Sequence, residues 1–103
     1  MIRGMQIDVP GEELAEFCAA NHIRRLSFFG SVLRDDFGPD SDIDVLVEFE
    51  PGHVPGLFRL TGMELALSSV LGGRKVDMHT VNGLSPYFRQ EVLREAQVQY
   101  VQA

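Results

Sequence analysis

Apolar positions along the chain change their spacing several times, and each change marks a boundary. After Pro10, the residues Leu14, Phe17 and Cys18 fall at i, i+3 and i+4, one face of a helix with Glu12 and Glu13 in its first turn, where the helix dipole favours acidic groups. Asn21-His22 ends that helix. Arg25 to Phe29 reads as a short strand stopped at Gly30, and Ser31 is placed to cap a short helix over residues 32–37, closed by Gly38-Pro39. Asp42 to Phe49 is the strongest strand pattern in the chain. A Pro/Gly loop over residues 51–56 leads to Leu57, after which Leu60, Met63, Glu64, Leu67, Val70 and Leu71 recur with helical period until Gly72-Gly73. Lys75 to Thr80 gives a third strand and Asn82-Gly83 a turn; Pro86 opens a last helix that runs to about Ala96. The tail Gln97-Val98-Gln99-Tyr100-Val101 either extends that helix or leaves it as a short strand.

Three strands interleaved with helices predict a small α/β (α+β) layered fold without repeats or low-complexity tracts. A chain of 103 residues fits one domain, residues 1–103. Its 45% apolar content is ordinary for a globular protein. Fifteen acidic residues against nine basic ones give a formal charge of -6, and the basic residues form scattered pairs rather than a stripe. Such a surface predicts no direct nucleic-acid binding and no attraction to an anionic membrane. A nucleoside triphosphate stays compatible with it when a divalent cation neutralises part of both partners. No apolar stretch approaches the ~20 residues of a membrane span, and no signal-peptide pattern opens the chain, so the expectation is a cytoplasmic protein. The single cysteine, Cys18, reads as a small buried hydrophobe.

The chemistry concentrates in two places. Phe28-Phe29-Gly30-Ser31 ends a strand in a turn where glycine lets phosphate approach the backbone and the Ser31 hydroxyl and adjoining amides can donate to it. Arg34, about one turn on, is within reach of a distal phosphate. Asp42 and Asp44 are two residues apart at the mouth of the strongest strand, so their side chains leave the same face. Carboxylates held that close repel one another and are costly to bury unpaired; a hard divalent cation, Mg2+ or Mn2+, removes the repulsion. Asp77 occupies the equivalent phase of the third strand between Val76 and Met78. Three aspartates on two neighbouring strands suffice for two metals: one to grip a triphosphate and one to lower the pKa of an attacking hydroxyl, with Asp77 as further ligand or proton acceptor. Lys75 shares the phase of Asp77 and is the better candidate of the Arg74-Lys75 pair to balance phosphate charge. Taken singly, each motif has an ordinary explanation as a turn, a solvated strand end or an edge carboxylate; their order on these elements is what carries the reading.

With these residues in view, the chain resembles the minimal nucleotidyltransferases, stand-alone members of the DNA polymerase beta-like nucleotidyltransferase superfamily. Gly30-Ser31, Arg34, Ser41-Asp42-Ile43-Asp44 with its apolar strand, and Asp77 match that pattern, and Leu84-Ser85-Pro86, Arg89, Val92-Leu93-Arg94-Glu95 and Tyr100 look like the family's ending. The likeness spans about residues 25–101. It implies a small mixed sheet flanked by helices, phosphate contacts from Gly30 and Ser31, and Mg2+ held by Asp42, Asp44 and Asp77. It further implies ATP as substrate and transfer of AMP to a protein hydroxyl. The implied acceptor is a tyrosine of a helical HEPN-domain toxin, for which the nucleotidyltransferase serves as antitoxin in a hetero-oligomer. The alternative within that resemblance is a non-catalytic antitoxin that neutralises its partner by occlusion. One departure stands out: the family's usual Ala-Arg-Gly is here Leu33-Arg34-Asp35, which puts a side chain and a negative charge where glycine normally lies.

Several other residues have two readings. His79 follows Asp77 by two and is placed to support it. His53 reads as an exposed loop histidine and His22 as a helix-end residue favoured by the dipole. Phe28, Phe29, Phe37, Phe49 and Leu60 read as core. In the helix from Leu57, the consecutive Leu65, Ala66 and Leu67 leave either a wholly buried element or one with a face for a partner.

Overall fold

In the computed structural model, residues 9–34, 37–38 and 40–103 are described, and they build a four-stranded mixed sheet with helices on both faces. The elements run α1 (Gly11–Ala20), β1 (Ile23–Phe29), a 3-10 turn (Gly30–Leu33), β2 (Ile43–Phe49), α2 (Leu57–Val70), β3 (Val76–His79), α3 (Pro86–Glu95) and β4 (Gln97–Val101). Across the sheet the order is β3-β2-β1-β4. The β1–β2 and β1–β4 pairs are antiparallel, whereas β2 and β3 are parallel, joined by the crossover helix α2. The mixed sheet flanked by helices is the one expected from the sequence, with one strand more than its three firm strand signals supplied. The tail resolves as β4: Ala96 alone separates it from α3, and β1 offers the free edge on which it pairs.

Strand alternation divides the labour between the faces. Ile43, Val45, Val47 and Phe49 of β2, with Val76 and Met78 of β3 and Leu26 and Phe28 of β1, point toward α1 and α2. There they meet Leu14, Phe17 and Cys18 of α1 and Met63 and Leu67 of α2 in one continuous core. Each fully buried aliphatic or phenyl group contributes about 1.5–3 kcal/mol, so most of the folding energy lies on this face. On the opposite face Phe29, Leu46 and Leu84 form a small cluster with Val81, Val92 and Ala96. That shallow packing leaves α3 standing off the sheet, with no residue of the helix fully buried. Space for chemistry is therefore on the α3 side.

Local signals explain the boundaries. Gly72 and Gly73 both adopt positive φ, and the Gly73 amide donates to the Ser68 carbonyl at 2.7 Å, the 6→1 bond of a Schellman ending. Pro86 occupies the first turn of α3, where its missing N–H costs nothing. The Cys18 thiol is wholly buried and pushed up to about 12 by desolvation, which keeps it an inert apolar group. The helix expected over residues 32–37 differs: the chain makes only the 3-10 turn Gly30–Leu33 (residues 35, 36 and 39 lie outside the described ones). Ser31 does not cap it either, because its hydroxyl donates across to the Asp42 carbonyl at 3.3 Å. A contact that ties the turn to the next strand outweighs the local cap.

Candidate active site

Parallel register brings the aspartates together. Ile43 pairs with Val76 and Asp44 with Asp77, so the two carboxylates stand side by side on the α3 face. His79, two residues beyond Asp77, takes the same face. One ligand atom from each of Asp44, Asp77 and His79 lies within 4.8 Å of the others. Like charges directly opposite in a sheet are destabilising, and His79 relieves part of that cost: its Nε2 is 3.7 Å from Asp44 Oδ1. This is an ion contact rather than a hydrogen bond. The contact with Asp44 holds the His79 imidazole above its usual pKa; partial burial opposes the shift, and the charges of Asp44, Asp77 and Glu64 add to it. The His79 ring also rests edge-on against Phe29, with centroids 5.4 Å apart.

Asp42 does not join this group. It precedes β2, and one step back in the β2–β3 register sets it beside Lys75, whose Nζ lies 3.8 Å from Asp42 Oδ2. Each carboxylate thus takes the nearest cation, Lys75 for Asp42 and the imidazole for Asp44. The Lys75 side chain is 76% exposed, so this pairing is weak and easily exchanged.

Gly30 closes the site from β1. Phe29 pairs with Asp44 across the β1–β2 ladder, which sets Gly30 against that carboxylate. Gly30 has φ +75, and a Cβ built on it would stand 2.5 Å from Asp44 Oδ2. Glycine is needed here twice, for the left-handed backbone and for the approach of the carboxylate. Gly30, Ser31, Arg34, Asp44 and His79 line one cavity of ≈ 550 Å³ whose far wall is α3, with Phe88 and Glu91 facing in. That volume is in the range of small-molecule sites. Asp35, the departure noted above, lies outside the described residues.

Two supports were not legible as such in the sequence. Glu64 of α2 accepts the Met78 N–H at 2.7 Å, pinning the edge strand β3 between the two residues that face the site. Arg74 donates to the Gly38 carbonyl and, at 3.4 Å, to that of Ser41, while its guanidinium lies 4.3 Å over the Phe37 ring. It therefore organises the segment leading into Asp42. His22 and His53 lie apart from the site: their rings stack at 3.8 Å, and His22 Nδ1 is 3.1 Å from Glu50 Oε2.

With this geometry in place, the family model of a nucleotidyltransferase domain matches residues 12–98. The chain belongs to the nucleotidyltransferase domain family. It is 39% identical over 74 residues to a candidate protein adenylyltransferase of Methanocaldococcus jannaschii, covering 72% of this chain and 76% of the relative. It is 37% identical over 73 residues to the protein adenylyltransferase MntA of Thermococcus cleftensis, covering 71% of each. A structure described as a candidate minimal nucleotidyltransferase superposes with TM-score 0.68 at 41% identity, over 84% of this chain and 85% of that one. The fold is shared with a toxin–antitoxin crystal structure containing AMP-PNP, at TM-score 0.73 and 18% identity, over 91% of this chain and 75% of that chain. Among the described residues, no helix is long and apolar enough to cross a membrane.

Proposed function

We propose that this nucleotidyltransferase transfers AMP from ATP to a hydroxyl of a protein partner, a tyrosine of a HEPN-domain toxin, and so acts as the antitoxin of a toxin–antitoxin pair. The observation that carries the chemistry is Asp44, which lines the same cavity as the Gly30–Ser31 turn and has Asp77 beside it in register. The acceptor rests on the relatives, which are protein adenylyltransferases by name, and on the fold shared with an antitoxin complex.

Two carboxylates and an imidazole are a donor set suited to a divalent cation. Asp44 and Asp77 would hold Mg2+ or Mn2+, with Asp42 joining from the start of β2. Such an ion, when bound, neutralises charge between the carboxylates and the triphosphate and acidifies an oxygen in contact with it. The chain's own residues do the rest. The amides of the Gly30–Ser31 turn would donate to phosphate oxygens, the Ser31 hydroxyl would join them on leaving the Asp42 carbonyl, and Arg34 and Lys75 would offset the negative charge. The acceptor oxygen bonds to the α-phosphorus, the bond from that phosphorus to the β-phosphate bridge breaks, and pyrophosphate leaves. The Asp77 carboxylate stands ready to take the hydroxyl proton.

An antitoxin acting by occlusion alone is the competing reading, and exposed apolar residues on α2, Leu57, Leu65 and the 98% exposed Phe58, favour it. The two separate with ATP labelled on the α- or the γ-phosphate, the purified partner, and the Asp44→Asn variant. Label reaching the partner from α-labelled ATP alone, and only with unmodified protein, is the result expected. Neutralisation by Asp44→Asn equal to that of the unmodified protein would sink the catalytic reading.

A further inference from the structure

His79 is the one member of the site cluster that the aspartate pattern does not require. Its position follows from the sheet: Asp77 and His79 are two apart on β3, so both leave the same face; His79 lines the cavity with Asp44, and Asp77 lies beside Asp44 in register. Its orientation is constrained from three sides. Phe29 meets the ring edge-on at 5.4 Å. The Met78 N–H between Asp77 and His79 is held by Glu64, so β3 cannot easily slide along α2. The ring then presents Nε2, not a carbon edge, toward Asp44 Oδ1. The result is one nitrogen and two carboxylate donors within 4.8 Å of one another.

That composition bears on which cation the site prefers. Mg2+ demands hard oxygen ligands and gives up water reluctantly. Imidazole nitrogen is a borderline donor that suits the later transition ions best, and among the two hard ions considered it binds Mn2+ in preference to Mg2+. A site built only from aspartates discriminates little between Mg2+ and Mn2+; one imidazole among them tilts the balance toward Mn2+.

We propose that His79 is a donor of the cation site and tunes it toward Mn2+ over Mg2+. This rests on the reading of Asp44 and Asp77 as the cation site and deepens it by naming the ion. The competing role for His79 is a counter-charge that relieves the aspartate pair and withdraws when a cation arrives. The two roles differ in whether a nitrogen is bonded to the ion.

The test is pulsed electron paramagnetic resonance of the full chain loaded with Mn2+ alone, where a bound imidazole gives a directly coordinated nitrogen signal. It is paired with Mg2+ competition titrations on the unmodified protein, His79→Asn and Asp44→Asn. A nitrogen coupling in the unmodified protein that His79→Asn abolishes is expected. The Mn2+ to Mg2+ affinity ratio of that variant should fall by about tenfold or more, since loss of even an outer-shell partner of a ligand costs about that much affinity. Asp44→Asn should weaken both ions. Mn2+ bound in an Asp44-dependent way without nitrogen coupling would overturn the inference and leave the aspartate site standing. The coupling needs no acceptor, so its presence supports the donor role even where adenylyl transfer to the partner fails, and that failure would count against the proposed function alone.

Discussion

Replacing Gly30 by alanine separates the demands of the fold from those of the site. The residue sits at φ +75, and a Cβ there stands 2.5 Å from Asp44 Oδ2. The left-handed conformation costs an alanine about 1–2 kcal/mol, or roughly 5–15 °C in Tm for a chain of this size. The clash itself adds little to stability, because the carboxylate is the far end of a side chain that can rotate away. It does so at the expense of the site. Restoring ordinary contact displaces the oxygen by roughly 1 Å, a misplacement that can lower turnover by about 100-fold. Gly30→Ala is therefore expected to remain folded, as judged by urea denaturation, while Mn2+ affinity by calorimetry and adenylyl transfer both drop sharply. Unchanged cation affinity would refute the argument, since it would mean that Asp44 either does not move or does not bind. Unfolding of the variant would refute the claim that the cost falls on the site.

Three further outcomes follow from contacts around the cluster. Glu64→Leu strips the Met78 N–H of its partner and should cost about 1–3 kcal/mol, whereas Glu64→Gln keeps an acceptor and most of the stability; equal losses in chemical denaturation would show that the bond at β3 is not the cause. Arg74→Met removes the donors to the Gly38 and Ser41 carbonyls and is expected to cost about 1–2 kcal/mol given their partial exposure, with hydrogen exchange rising first ahead of Asp42. In chelator-treated protein, His79 binds its proton more tightly folded than unfolded, because Asp44, Asp77 and Glu64 surround it. Its contribution is thus full below the unfolded value of 6.5 and disappears as pH rises through the higher folded value. Denaturation midpoints should follow that course, and His79→Asn should flatten it.

The sequence was most informative where burial enforces a period. The alternation along Asp42 to Phe49 located β2 and the face carrying Asp44, and the same parity placed Asp77 and put His79 beside it. The 3.6-residue spacing in α1 and α2 located both helices to within a residue or two. Legibility failed where a partner element decides. Gln97 to Val101 has an alternating pattern, but it follows α3 almost directly and could as well continue it, and only the open edge of β1 makes the segment a strand. Ser31 has the chemistry of a cap, yet the nearby Asp42 carbonyl claims its hydroxyl. Asp42 and Asp44 share a strand phase, but the register beside β3 sets Asp42 against Lys75 and Asp44 against Asp77, with the His79 side chain reaching back to Asp44. Arg74 read as a phosphate counter-charge or a solvated strand end. Its actual partners, two carbonyls and the Phe37 ring, lie more than thirty residues back along the chain.

Transfer of a nucleotide to a protein partner through Asp44 and Asp77 is tested most directly by the intact mass of the co-encoded HEPN-domain protein after co-expression with the unmodified chain or with Asp44→Asn. A partner heavier by one or more adenylyl groups on tyrosine is expected with the unmodified chain, and an unaltered mass with the variant. An unaltered partner in both cases, still neutralised in both, would contradict that transfer.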